Sequence, residues 1–208
     1  LFPYTTLFRS DKGPVTFTLD AEASKQLKSS DLENGNTSKG LTSNLCDGKG
    51  KWQLVVRSAQ AIEVMGLIRT PDGFLTSLND SVPVVGGDNL VYFANPGSNT
   101  NQQTFLRVVN LTDNSNTVTI TAIDDTGLSS EGTVTLTLGA NESKQMTAQD
   151  LENGNTDKGL TGNLDNGTGK WRLVVSSALD LQVMSMIRST DGFLTNQYGS
   201  PPINDSVS

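Results

Sequence analysis

The chain has 208 residues, enough for one large domain or two ordinary ones, and its formal net charge of -7 makes nucleic acid and anionic membrane surfaces poor partners. Hydrophobic residues are 35% and charged residues 18% of the chain, the balance being rich in Thr, Ser, Asn and Gly, and no stretch approaches the roughly 18 apolar residues of a membrane-spanning helix, which excludes membrane insertion by a helix. There is no His and one Cys, which excludes a Ser-His-Asp or Cys-His catalytic centre, a His-ligated zinc site and an internal disulfide.

The opening decapeptide LFPYTTLFRS, Leu1 to Ser10, resembles one reading frame of a common short-read sequencing adapter. On that resemblance the natural chain is expected to begin near Asp11, with any signal peptide lost upstream. The alternative is a natural amphipathic N-terminal segment.

Gly13 to Thr76 aligns without gaps with Gly132 to Thr195 at a constant offset of 119, and 40 of the 64 aligned positions are identical. DLENGNT stands at Asp31 and again at Asp150, GKW at Gly50 and Gly169, and DGFLT at Asp72 and Asp191. A period this long implies one whole domain per repeat, strung in tandem. The first copy lacks a counterpart of Asn89 to Gly132. The expected organisation is therefore an artefactual 1–10, a partial repeat over 11–78, a linker over 79–88, a complete repeat over 89–196, and a linker over 197–208. NDSV occurs at Asn79 and at Asn204. Its second occurrence leads to the expectation that a further repeat followed.

In the complete copy the strands are expected in order. Leu90 to Ala94 is a short apolar run ended by Asn95-Pro96-Gly97. Thr104 to Leu111 is β-rich. Val118 to Ala122 alternates apolar residues with Thr, the pattern of a half-buried strand. Asp124 to Gly127 is turn chemistry. Val134 to Leu138 alternates again, and Glu142 to Met146 is expected as another strand. Trp171 to Ser176, Leu181 to Ile187 and Phe193 to Thr195 complete the set. Seven or eight short strands with frequent turns predict an all-β antiparallel sandwich of immunoglobulin or fibronectin type III kind, with a β-barrel or jelly roll as the alternative. Val134, Leu136, Leu138, Trp171, Leu173, Val183 and Ile187 are expected in the core. Their counterparts are Val15, Phe17, Leu19, Trp52, Leu54, Val64 and Ile68, of which the incomplete first copy should expose one side.

Met184 and Met186 fall on the opposite face of the strand that carries Leu181, Val183 and Ile187. The long connection from Thr147 to Lys170, anchored by Leu151, Leu160 and Leu164, is the expected cover for that face.

The same connection holds the residues of chemical interest. Asp150, Glu152, Asn155 and Asp157, with Asn153 and Asp165 nearby, put carboxylate and amide oxygens in a Gly-punctuated loop, the donor type that calcium takes. The EF-hand spacing is absent, and a polar loop held by Asx turns with a short helical turn at Asp150 is the competing reading. Trp171 and Trp52 read as core residues in alternation with Leu and Val rather than as sugar-stacking platforms. Tyr92, Phe93 and Phe105 read as strand residues. Asp124-Asp125 is a paired carboxylate, but adjacent strand residues point to opposite faces, so glycosidase chemistry is not expected there. Cys46 is matched by Asp165 in the second copy, which argues against a structural role. The N-x-S/T sequons at Asn79, Asn110, Asn141 and Asn204 are given no function.

The run FLRVVNLTDNSNTVTITAIDDTG, followed by GTVTLTL, DLENG, GLTGNL, GTGKWRLVV, VMSMI and DGFLTN, resembles a bacterial module found in tandem arrays. The resemblance covers Asn89 to Asn196 and, in part, Val15 to Thr76. Such arrays lie in large secreted or surface proteins, often beside hydrolase or adhesion-type domains. The resemblance implies location and modular use and carries no functional residues. The resulting expectation is a non-catalytic extracellular spacer or adhesion repeat, without a cofactor unless calcium binds the loop. Its partners are neighbouring repeats of the same chain, and a glycan or surface protein. The alternative is an accessory polysaccharide- or protein-binding module attached to a secreted hydrolase.

Overall fold

Strands form where β-branched residues alternate with Thr and other polar residues, because one face of each is then apolar. The computed structural model describes residues 4–7, 14–47, 51–71, 73, 75–77 and 87–197. The structure is mostly β and antiparallel, with short helices only, and it divides into two compact units, residues 1–64 and 65–208. No described helix is long and apolar enough to cross a membrane. The expected linkers lie outside the described residues for 79–86 and 198–208, as do the sequons at Asn79 and Asn204. Residues 1–3 and 8–10 of the adapter-like segment lie outside them too.

In the first unit β1 (Tyr4–Leu7) stands between β2 (Val15–Thr18) and β3 (Val56–Arg57), antiparallel to both. A helix α1 (Ser29–Asn34) follows β2. Val15, Phe17, Leu32, Leu41 and Leu45 form the unit's core, with Leu19, Trp52 and Val56 partly buried against it. Leu54 and Val64, members of the set of which this incomplete copy is expected to expose one side, are 46% and 52% exposed.

The second unit opens with a hairpin of β4 (Leu67–Arg69) and β5 (Leu75–Ser77). Eight strands follow: β6 (Gly87–Ala94), β7 (Gln102–Asn110), β8 (Asn116–Asp124), β9 (Val134–Leu138), β10 (Ser143–Thr147), β11 (Trp171–Ser177), β12 (Leu181–Ser189) and β13 (Leu194–Gln197). A helix α2 (Ala148–Asn153) directly follows β10. They build two four-stranded sheets, ordered β6-β11-β8-β9 and β10-β7-β12-β13. Both sheets feed one core. Val118, Ile120, Val134, Leu138, Leu173 and Val175 come from the first, and Leu106, Val108, Met146, Leu181 and Val183 from the second. All seven core positions expected for this copy are buried.

The strand order departs from the immunoglobulin arrangement, whose first, second, fourth and fifth strands share one sheet. Here β8 pairs with β9, β7 with β10 and β6 with β11, so the pairs are nested one inside the next. Alternation along a strand assigns its faces, not its neighbours, so the sequence pattern is equally compatible with either connectivity.

The registers of the two copies agree at the offset of 119. Ile68 faces Thr76 as Ile187 faces Thr195. Leu7 faces Val15 and Val56, as Ile120 faces Val134 and Val175. Tyr4–Leu7 thus occupies in the first unit the place that residues 117–120 of β8 hold in the second.

The long connection does not cover Met184 and Met186. Those residues do point away from the core, opposite Arg107 and Phe105, and Met186 is buried. Leu151, Leu160 and Leu164 instead enter the interior core, because α2 packs against β10 and β7. Nor is the connection structureless. Thr161 forms a two-way backbone bridge with Thr135 at the free side of β9, which protects an edge that would otherwise template strand addition.

Candidate functional site

The DLENGNT segment is a closed polar device built from local capping rules. Thr147 caps α2, its hydroxyl accepting the Asp150 amide at 3.1 Å, while the Asp150 carboxylate accepts the Thr147 amide at 2.7 Å. Gly154 ends the helix at a φ of 76°. A single 3-10 turn, Thr156–Lys158, follows, and the Asn155 side chain caps it by accepting the Lys158 amide. This turn returns the Lys158 ammonium to the Asp150 carboxylate, which also accepts the Asn155 side-chain amide at 2.6 Å.

The four residues expected as calcium ligands are therefore not gathered at one point. Asp150 and Asn155 meet, with Lys158 as the cation between the two turns. Glu152 faces the other way, 6% exposed, and accepts the Trp171 indole N–H at 2.8 Å and the Gly97 amide at 3.0 Å. Asp157 is exposed in the 3-10 turn. Among the described residues no group of three or more His, Cys, Asp or Glu side chains is placed to hold a metal ion.

The first copy repeats the device. Asp31 accepts the Lys28 amide at 2.8 Å, the Asn36 side-chain amide at 2.6 Å and the Lys39 ammonium at 2.6 Å, and Trp52 donates to Glu33 at 2.9 Å. Leu45 donates its amide to the Leu32 carbonyl as Leu164 does to Leu151. The shared letters DLENGNT-x-KGLT thus encode one loop conformation twice.

Electrostatics follow from these bonds. Burial pushes the Asp150 carboxyl up, but the Lys158, Thr147 and Asn155 donors outweigh it and hold the pKa down at about 2. Asp31 is held well below the usual carboxylate range by Lys39, Lys28 and Asn36. Asp124 sits at about 2, through the Thr126 hydroxyl and then the Thr168, Leu128 and Thr126 amides. These folded-state values lie below the unfolded value, so the stabilisation they give is whole above about pH 4 and is lost as pH falls from about 4 towards 2. Urea unfolding of the chain at descending pH is expected to show that loss, and Asp150→Asn is expected to flatten it. An unchanged pH slope in the variant would count against the loop's electrostatic role.

The Asp124-Asp125 pair is a staple. Asp124 accepts the Thr126 hydroxyl and the Thr126, Leu128 and Thr168 amides, and Asp125 accepts the Lys170 amide at 2.9 Å. Trp171 is 3% exposed, which leaves no ring face for a sugar, and Trp52 is half-buried. Tyr92, in β6, is 52% exposed, while Phe93 and Phe105 are half-buried. The Cys46 thiol donates to the Asn44 side-chain oxygen Oδ1. Asn110 is fully buried and bonded through both side-chain atoms, so its sequon is closed to modification. A small cavity lined by Leu106, Ala148, Leu151, Leu164, Trp171 and Leu173, with Ala94 and Thr104, contains no ionisable group.

The feature that sequence reasoning missed is the Glu152 hub. Its signal was present: Glu and Trp stand 19 residues apart in both copies, Glu33 with Trp52 and Glu152 with Trp171. The hub also explains Gly97, where an added Cβ would lie 2.6 Å from the Gln149 Cα and 2.6 Å from a Glu152 carboxylate oxygen. Gly97→Ala is expected to destabilise the second unit by about 1–3 kcal/mol through overpacking against backbone. Urea titration measures it, and a neutral result would show that the turn can shift at no cost.

The fold and these side chains define an all-β two-sheet module whose polar loop is bonded chiefly to itself. No protein-family model, no curated protein and no solved structure matches the chain.

Proposed function

We propose that the chain is a non-catalytic, tandemly repeated β-sandwich segment serving as a spacer or adhesion module in a larger secreted or cell-surface protein. One observation carries the reading: the polar residues with the best claim to chemistry, Asp150, Glu152, Asn155, Asp124 and Asp125, are engaged by the chain's own donors. A catalytic or ligand site needs unspent donors and acceptors aimed at a shared space. The nested strand pairs favour the jelly-roll form of the sandwich over the immunoglobulin form. The secreted location rests on the resemblance to modules of surface arrays, and the expected partners are neighbouring repeats.

Accessory polysaccharide binding is the second reading, and Tyr92 is the observation in its favour, as an aromatic ring more than half exposed on a strand. The test is retention of the full chain on arrays of bacterial and plant polysaccharides. No retention is expected. Retention abolished by Tyr92→Ala would replace the spacer reading with the binding one.

No cofactor is part of this reading. Lys158 already supplies the positive charge beside Asp150, so calcium is expected to act on the chain only as general salt does. Thermal unfolding in EDTA, Ca²⁺ and Mg²⁺ at matched ionic strength should give equal curves. A calcium-selective rise that disappears in Asp157→Ala would establish a cation site in the loop.

A further inference from the structure

Asn-Gly steps occur at Asn34, Asn153 and Asn166. A glycine leaves the peptide nitrogen that follows the Asn unshielded by a side chain, so the Asn side-chain carbonyl can meet that nitrogen wherever the backbone is free to turn. At the first two steps it is not free. Asn34 ends α1, and its side-chain amide donates to the Ser30 carbonyl at 3.1 Å. Asn153 ends α2. Within a helical turn the next nitrogen is directed away from the Asn side chain.

The third step differs. Asn166 is exposed, outside any helix or strand, in the connection that leads to β11. The chain is anchored on both sides of it. The Asp165 amide donates to the Glu152 carbonyl at 3.2 Å, and the Thr168 amide donates to the Asp124 carboxylate at 3.0 Å. Between these anchors, neither the Asn166 side chain nor the Gly167 amide has a hydrogen-bond partner among the described residues. Packing demands the glycine, because a Cβ at position 167 would overlap Cη2, Cζ2 and Cζ3 of the Trp171 ring. The requirement that seats this loop on Trp171 thus also places Asn166 beside an unhindered nitrogen.

We propose that Asn166 is a self-modification site: in the folded chain it deamidates selectively, and its isoaspartyl product loosens the corner over Trp171. The Gly167 nitrogen gives its proton to solvent base and bonds to the Asn166 Cγ. The Cγ–Nδ2 bond breaks, and Nδ2 leaves as ammonia, which closes a succinimide. Water then opens the ring at either carbonyl. Breaking the bond between the ring nitrogen and Cγ gives aspartate with the main chain unchanged. Breaking the bond to the α-carbonyl carbon gives isoaspartate, whose main chain runs through Cβ and Cγ and is longer by one carbon. Asp47-Gly48 stands at the equivalent place in the first copy, so the aspartyl product has the sequence of the sister loop. The isoaspartyl product must fit its extra carbon between the Asp165 and Thr168 anchors, which lifts Gly167 from the indole ring.

The test ages the full chain in warm, mildly alkaline buffer, with and without urea, and follows all three steps by peptide mapping with a fragmentation that separates isoaspartate from aspartate. In the folded chain Asn166 should convert about tenfold or more faster than Asn34 and Asn153, which react only when their helices open. In urea the three rates should converge, with Asn166 little changed. Asn166→Gln should abolish conversion there, since its ring closure is disfavoured, and should leave the circular dichroism unaltered because the side chain is exposed. Asn166→Asp should keep the urea midpoint of the fresh chain, whereas the aged isoaspartyl fraction should show a lower one. Equal rates at the three sites in the folded chain, suppression of Asn166 by folding as strong as that of Asn153, or an isoaspartyl fraction as stable as Asn166→Asp would each overturn the proposal.

Discussion

Replacing Trp171 by alanine is expected to destabilise the second unit by about 3–5 kcal/mol, the range for removing a large buried aromatic. Two effects add. The ring fills the corner where β11 leaves the long connection, among Leu151, Leu164 and Leu173, and it is 3% exposed. Its indole N–H also satisfies Glu152, itself 6% exposed, so the variant leaves a buried carboxylate short of a donor. Trp171→Phe separates the two, since it restores part of the packing and none of the hydrogen bond, and should fall between wild type and alanine. Urea denaturation of the full chain followed by tryptophan-independent circular dichroism measures both. A loss below about 1 kcal/mol would contradict the core assignment, because a fully buried aromatic does not come out that cheaply.

The second large effect is a contrast between identical letters. Leu173→Ala should cost about 2–5 kcal/mol, as a buried leucine leaving a cavity, whereas Leu54→Ala should stay within about 0.5 kcal/mol, as a surface change. The two leucines stand in the same sequence, WxLVV, one 1% and the other 46% exposed. What differs is the strand laid across them: β6 covers Leu173, and among the described residues no strand does the same for Leu54. Equal costs would mean that Leu54 is covered in solution.

Most strands were legible because alternation is strong where Thr separates Val, Leu and Ile, as in Val134–Leu138, and because turn residues such as Asn95-Pro96-Gly97 mark the ends. Pairing was not legible. Alternation says that Leu173 and Val175 face inward but is silent on whether β11 sits beside β6 or β12, a matter decided by which sheets close over one core. The acidic loop was legible only as a composition. Asp150, Glu152, Asn155 and Asp157 lie within eight residues, and a linear reading invites their convergence on a cation. The helical turn rotates Glu152 away from Asp150, and the 3-10 turn sends Asp157 to solvent while returning Lys158. That outcome depends on where α2 begins and ends, the least determinate part of any sequence reading. Trp171 as a core residue was readable from its alternation with Leu173 and Val175; its bond to Glu152, 19 residues upstream, required the fold.

The nesting of β8–β9 inside β7–β10 inside β6–β11 carries a consequence for how the second unit reaches its native state. Closing the outermost pair first would tie off a loop of about 80 residues at full entropic cost, whereas each inner pair, once made, shortens the effective loop that the next must close. Loop entropy therefore favours an order of assembly that runs outward from the β8–β9 hairpin, whose ends are joined by a turn stapled by Asp124. The polar loop can form alongside it, since its bonds span only a few residues. Long-range pairing of β6 with β11 comes last, which places the unit among domains that fold on the order of milliseconds to seconds. On a ribosome this means that β6 and β7 emerge early and must wait unpaired until β10 and β11 have been synthesised.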